Sequence, residues 1–147
     1  MRVSIKSILH LMILSLGLIQ TSSCTNNGSP IQSISHGKCF GMCSGYCYVE
    51  DTYYSQKIIR HSKANRIKLP EKFDTLSFSE KKWNHLLSTF DLAKFKKLPE
   101  TIGCPDCADG GAEWIAIKTN DNVYKVSFEY NSNVDGLNEL LKLMRKN

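Results

Sequence analysis

The most regular pattern in the chain is the alternation over residues 123–130. Tyr124, Val126, Phe128 and Tyr130 fall on one side of an extended backbone, and Lys125, Ser127 and Glu129 on the other. Such a segment is a strand with one buried and one solvated face. Trp114-Ile115-Ala116-Ile117 supplies a partner strand across the turn Thr119-Asn120-Asp121-Asn122. Helical spacing appears twice. Trp83, Leu86, Leu87 and Phe90 lie at i, i+3, i+4 and i+7 behind Ser79, a capping residue, and Glu80, a first-turn carboxylate. Phe78 and Trp83 are spaced for a hydrophobic staple across that cap. Asp91 can cap a further turn carrying Leu92 and Phe95, which Pro99 stops. At the end of the chain, Leu137, Leu140, Leu141 and Met144 form a second stripe. Ser132 or Asn133 can cap that helix, with Lys142, Arg145 and Lys146 in the last turn, where cations are favoured.

The first half is less periodic. Residues 31–36 can make a short strand, Tyr46 to Val49 opens another, and Tyr53 to Arg60 continues as the next. His61-Ser62-Lys63-Ala64-Asn65 is the expected turn, with Arg66 to Leu69 pairing back before Pro70. These elements predict an α+β domain, an antiparallel β-sheet with two helices packed on one face, in the order β-β-β-α-β-β-α.

Ahead of it runs an apolar stretch from Ile8 to Ile19, preceded by Arg2 and Lys6 and followed by Thr21-Ser22-Ser23-Cys24. It has the length of a secretory leader and falls short of the roughly 20 apolar residues that span a bilayer. Ser22, Ser23 and Cys24 fit a lipoprotein cleavage box, and Thr21 stands where that box has Leu. The expectation is a signal peptide over residues 1–23, lipidation at Cys24, a flexible tether over 24–34 and a single α+β domain over 35–147. Two acyl chains on Cys24 would hold the protein to a membrane outside the cytoplasm, since each buried methylene contributes about 0.8 kcal/mol. The alternative is a secreted soluble protein cut near the same place.

Charge excludes little but is informative. Of 147 residues, 19 are Lys or Arg and 14 Asp or Glu, a formal net charge of +5. Arg2 and Lys6 would leave with the leader. The mild remainder does not call for nucleic acid. Basic residues gather at Lys57, Arg60, Lys63, Arg66 and Lys68. The plain reading is a sheet edge guarded by cations. The sharper one is a surface at Lys57, Arg60 and Lys63 that sits on anionic head groups or an acidic polymer, with an envelope protein as a further candidate partner.

Six cysteines remain to be placed: Cys24, Cys39, Cys43, Cys47, Cys104 and Cys107. With Cys24 acylated the rest are odd in number, so one thiol is left over in an oxidising compartment. Cys39 and Cys43 are close enough to bridge, as are Cys104 and Cys107, and longer links such as 43 to 107 stay open. Cys47 is then the candidate free thiol. The alternative is a zinc site on Cys39, Cys43, Cys104 and Cys107, or a thiol-redox module on the Cys39/Cys43/Cys47 and Cys104/Cys107 loops. Against redox chemistry, Gly110-Gly111 and a strand follow Cys107 where an activating helix would start. Asp106, Asp109 and Glu113 lack calcium-loop spacing and read as a solvated turn. His85 reads as a helix-surface residue, and no spacing links His36, His61 or His85 to a cysteine nucleophile. The balance favours a binding or structural module with no cofactor and no catalytic constellation.

Cys39-Phe40-Gly41-Met42-Cys43, with Tyr46 opening a strand soon after, resembles a family of small bacterial secreted and lipoprotein domains of unknown function. Ser44 stands where that family usually has Pro, and Cys47 is an addition. The loop from Gly103 to Gly111 with Glu113-Trp114-Ile115 is similar to a motif of related lipoproteins. The resemblance spans most of residues 31–147. It implies an envelope location and a cysteine-braced α+β fold, and brings no activity or catalytic residue.

Overall fold

The computed structural model describes residues 30–146. The expected leader, Cys24 and the tether as far as Ser29 lie outside the described residues. The domain is α+β. Seven strands form one sheet: β1 Ile31–Cys39, β2 Tyr48–Tyr53, β3 Lys57–Lys63, β4 Lys72–Ser77, β5 Thr101–Ile102, β6 Ala112–Thr119 and β7 Val123–Glu129. Among the described residues three helices accompany it: α1 Glu80–Ser88, α2 Leu92–Phe95 and α3 Asn138–Met144. The strand order is β4-β3-β2-β1-β6-β7-β5, and only the short β5 pairs in parallel, with β7. Among the described residues no helix is long and apolar enough to cross a membrane.

The periodic segments form helices and a strand near where their patterns place them, with Tyr130 beyond the end of β7 and 42% exposed. Ser79 caps α1, its Oγ accepting the Lys82 N–H at 3.3 Å. Asp91 caps α2 by accepting the Ala93 and Lys94 N–H groups at 2.8 and 3.2 Å. Leu137, Leu140, Leu141 and Met144 are all buried, each worth about 1.5–3 kcal/mol of apolar transfer.

Elsewhere the structure departs from the pattern. β1 begins at Ile31, and Ile34 is fully buried, so the folded domain starts inside the segment expected to be tether. The chain turns at Tyr54 to Gln56, where the Tyr54 N–H donates to the Lys57 carbonyl at 2.8 Å, and residues 61–63 continue β3 instead of forming the turn. The pairing strand is β4, not residues 66–69. All six residues of β4 are exposed, because it is the outer edge of the sheet; nothing buries one of its faces, so no apolar alternation marks it. The C-terminal helix starts at Asn138, and Asn138 Oδ1 accepts the Val134 N–H at 2.9 Å, so neither Ser132 nor Asn133 caps it.

Opposed residues in a sheet share a face. Ile34, Tyr53, Ile58, Ile115, Ile117, Val126 and Phe128 therefore point to one side, where they form a single core with Trp83 and Leu86 of α1, Phe95 of α2 and the α3 stripe. The other side carries a row of rings. Phe73 stacks on His61 at 4.4 Å, and Tyr48 lies 5.5 Å from His61 and 5.2 Å from Trp114. The Trp114 indole N–H donates to Glu50 Oε2 at 2.7 Å. Burial, then the charge and hydrogen bond of Glu50, push the Tyr48 phenol up to about 12, so it stays neutral.

Candidate functional site

Strand register lays the helix-facing side out in cross-strand rows. Ile58, Tyr53, Ile34, Ile117 and Tyr124 form an apolar row. Two residues further along each strand the row reads Arg60, Asp51, His36, Ile115 and Val126. The next reads Ser62, Val49, Lys38, Glu113 and Phe128. Polarity therefore rises along the face toward the end reached by the last turn of α3. A cavity of about 480 Å³ opens there, lined by the polar members of these two rows and Val49, together with Tyr130, Asn131, Met144 and Arg145. Its size is that of a small-molecule site.

Glu113 is the centre of this region. It is 1% exposed. Its Oε1 accepts from His36 Nε2 at 2.6 Å and from Arg145 Nε at 2.8 Å, and its Oε2 from Arg145 Nη2 and the Asn131 N–H, both at 2.8 Å. Burial pushes the Glu113 carboxyl up, but hydrogen bonds from His36, Arg145 and Asn131 outweigh it and hold the group down at about 2. Glu113 is thus a buried, ionised, fully bonded carboxylate that ties α3 to β1 and β6. Arg145 Nη2 also donates to the Ser132 carbonyl at 2.8 Å, closing the loop before α3.

A second clamp sits beside it. Arg60 donates from Nε and Nη2 to the two oxygens of Asp51, both at 2.7 Å, and Asp51 is itself buried. Lys38, by contrast, forms no ion pair among the described residues, and Ser62 is 7% exposed, its hydroxyl not a buried group left without a partner. Both line the cavity. Tyr130 closes the rim, edge-on to Phe40 at 4.8 Å.

The sequence-predicted residues are distributed differently. Cys43 is bonded to Cys47, and Cys104 to Cys107; among the described residues the free thiol is Cys39. This corrects the expectation that Cys39 pairs with Cys43 and leaves Cys47 free. The reason is register. Cys39 ends β1 opposite Tyr48 and Ala112 on the ring-bearing face, with the Asn65 amide donating to its sulfur at 3.3 Å, whereas Cys43 and Cys47 close the loop that follows. Four of the five cysteines after Cys24 are thus disulfide-bonded, and no group of three or more His, Cys, Asp or Glu residues placed to hold a metal occurs among the described residues.

The basic trio does not share a face. Lys57 and Lys63 point with Ile59 and His61, while Arg60 points inward with Ile58 and Ser62 and is committed to Asp51. Lys63 lies 3.8 Å from Glu71. Glu113 is no solvated turn residue but the most enclosed acid in the domain. Asp106 and Asp109 do sit in an exposed turn, at φ 59°, where Asp106 Oδ1 accepts the Gly111 N–H at 3.2 Å.

No protein-family model matches the chain, and no curated protein is significantly similar to it. The likeness carried by the two cysteine motifs therefore stands alone, and the cavity has to be read on its chemistry.

Pattern marks Arg145 only as a last-turn cation, Glu113 and Ser62 as turn residues and His36 as an unlinked histidine, and leaves Lys38 and Asp51 unremarked; it does not bring the six together. One signal was available. Asp51 and Glu113 occupy the inward phase of strands whose neighbours in that phase are Tyr53 and Ile115, and a charge at such a position needs a buried partner.

Proposed function

We propose that this chain is a cell-envelope lipoprotein, held outside the cytoplasm by acylated Cys24, whose disulfide-braced α+β domain is a binding module for a small polar molecule. The leader pattern supports the location, and the two disulfides suit an oxidising compartment. The observation that carries the binding role is the cavity. Its acidic groups are already clamped by Arg60, Arg145 and His36, which makes a rigid wall, while Lys38 and Ser62 are left facing open space. Rigid clamps around a few uncommitted polar groups are how ligand sites achieve orientation at low entropic cost.

Two experiments test this. Cell fractionation of the wild type and of Cys24→Ser checks the anchor: the wild type stays with membranes and the variant is released, and equal membrane retention rejects lipidation. For the cavity, a small-molecule library is screened by thermal shift against the wild type and Ser62→Phe, which fills the space. Compounds that stabilise the wild type and not Ser62→Phe are expected. Equal stabilisation of both rejects the site.

A further inference from the structure

We infer that the ligand of this cavity is a small organic anion whose carboxylate or phosphate head group sits against Lys38 and Ser62. The inference rests on reading the cavity as a ligand site and adds its chemistry. Glu113 already accepts four hydrogen bonds, and both Asp51 oxygens are taken by Arg60. A carboxylate offers about four lone-pair sites, so Glu113 has no acceptor left for a ligand. Asp51 keeps about two lone-pair sites and the Ser62 hydroxyl can donate or accept, but the one charge on the wall that no opposite charge faces among the described residues is the ammonium of Lys38, a donor only.

Charge points the same way. The lining cations are Lys38, Arg60 and Arg145 and the lining carboxylates Asp51 and Glu113, each carboxylate bidentate with its own guanidinium. Among the described residues Lys38 is the lining cation without a carboxylate partner. A neutral ligand would desolvate it with no counter-charge, and an apolar one would also strand the Ser62 hydroxyl. A cationic ligand is repelled. An anion supplies the missing charge and accepts from both groups. Val49 separates Lys38 from Ser62 across β2, about 10 Å at the backbone, so one head group meets both with the Lys38 side chain reaching over Val49 and the body of the ligand directed toward Met144 and Tyr130.

The test is amide chemical-shift titration of the full-length chain at fixed ionic strength with inorganic phosphate, acetate and glucose. Phosphate or acetate is expected to shift the Lys38 and Ser62 signals saturably, and whichever of the two binds more tightly identifies the head group. Binding should weaken about tenfold or more in Lys38→Met, as for loss of a charge-assisted hydrogen bond. It should recover in Lys38→Arg, fall in Ser62→Ala, and be unchanged in Lys142→Met on the exposed side of α3. Anion binding that ignores Lys38→Met and Ser62→Ala overturns the inference. Glucose binding at these residues without anion binding overturns it while leaving the cavity a ligand site. No shift there with any of the three probes overturns both.

Discussion

Gly37 and Trp114 face each other across β1 and β6, and the indole lies where a glycine Cβ would be. A Cβ built on Gly37 would fall 2.1 Å from the Cε2 and Cζ2 atoms of Trp114. The glycine lets the largest side chain of the ring-bearing face lie flat on the sheet, where it also bonds Glu50 and meets the Lys125 ammonium at 4.6 Å. Gly37→Ala should therefore destabilise the fold by about 1–3 kcal/mol, as overpacking does. Urea unfolding measures it, and a change within 0.5 kcal/mol, about the scatter of neutral surface sites, would mean the indole moves freely aside.

The Glu113 clamp sets the acid limit of the domain. The native carboxyl holds its proton only below about 2, against an ordinary 4.5. A depressed native value means that the unfolded chain takes up the proton first, so the stabilisation is complete above pH 4.5 and is lost as pH falls from there toward 2. Its full size is roughly 3 kcal/mol. Glu113→Gln should remove that dependence and cost about 3 kcal/mol at neutral pH, because Arg145 loses its counter-charge in a half-buried place. Equilibrium unfolding from pH 2 to 7 checks both.

Arg60 and Lys57 both belong to the basic segment of the sequence, yet they should behave differently. Arg60→Ala leaves Asp51 buried without its partner and should cost about 3 kcal/mol. Lys57→Ala, exposed on the opposite face, should stay within about 0.5 kcal/mol. Thermal unfolding of the two variants separates a structural cation from a surface one.

Thiol accounting discriminates the cysteine pairings. Alkylation of the unfolded, unreduced protein should label Cys39 and spare Cys43, Cys47, Cys104 and Cys107; reduction should expose all of them. Peptide mass spectrometry that finds the label on Cys47 would restore the pairing of Cys39 with Cys43.

Much of the fold was legible because burial imposes a period. The stripe through Trp83 and Leu86, the stripe through Leu140 and Met144, and the alternation through Val126 and Phe128 all report a face pressed on the core. Where burial is absent the period fades: β4 is fully exposed, and the turn after Tyr53 contains no glycine or proline to mark it. The disulfide partners were illegible for another reason. Cys39, Cys43 and Cys47 are evenly spaced, and only the pairing of Cys39 with Tyr48 across β1 and β2 decides which of them turns away. The site shared this difficulty. Glu113 and Arg145 lie 32 positions apart, and no local pattern announces that a strand and the last turn of a helix will bring them together.

The most direct test of the account is to map, by amide chemical shifts, where a small molecule from the thermal-shift screen binds. Perturbations are expected to concentrate on Lys38, Ser62, Glu113, Asn131 and Arg145, at the polar end of the helix-facing side. Perturbations centred instead on the open groove beside α2, at Thr89, Phe90 and Leu98, would contradict it and move the function of the domain to another surface.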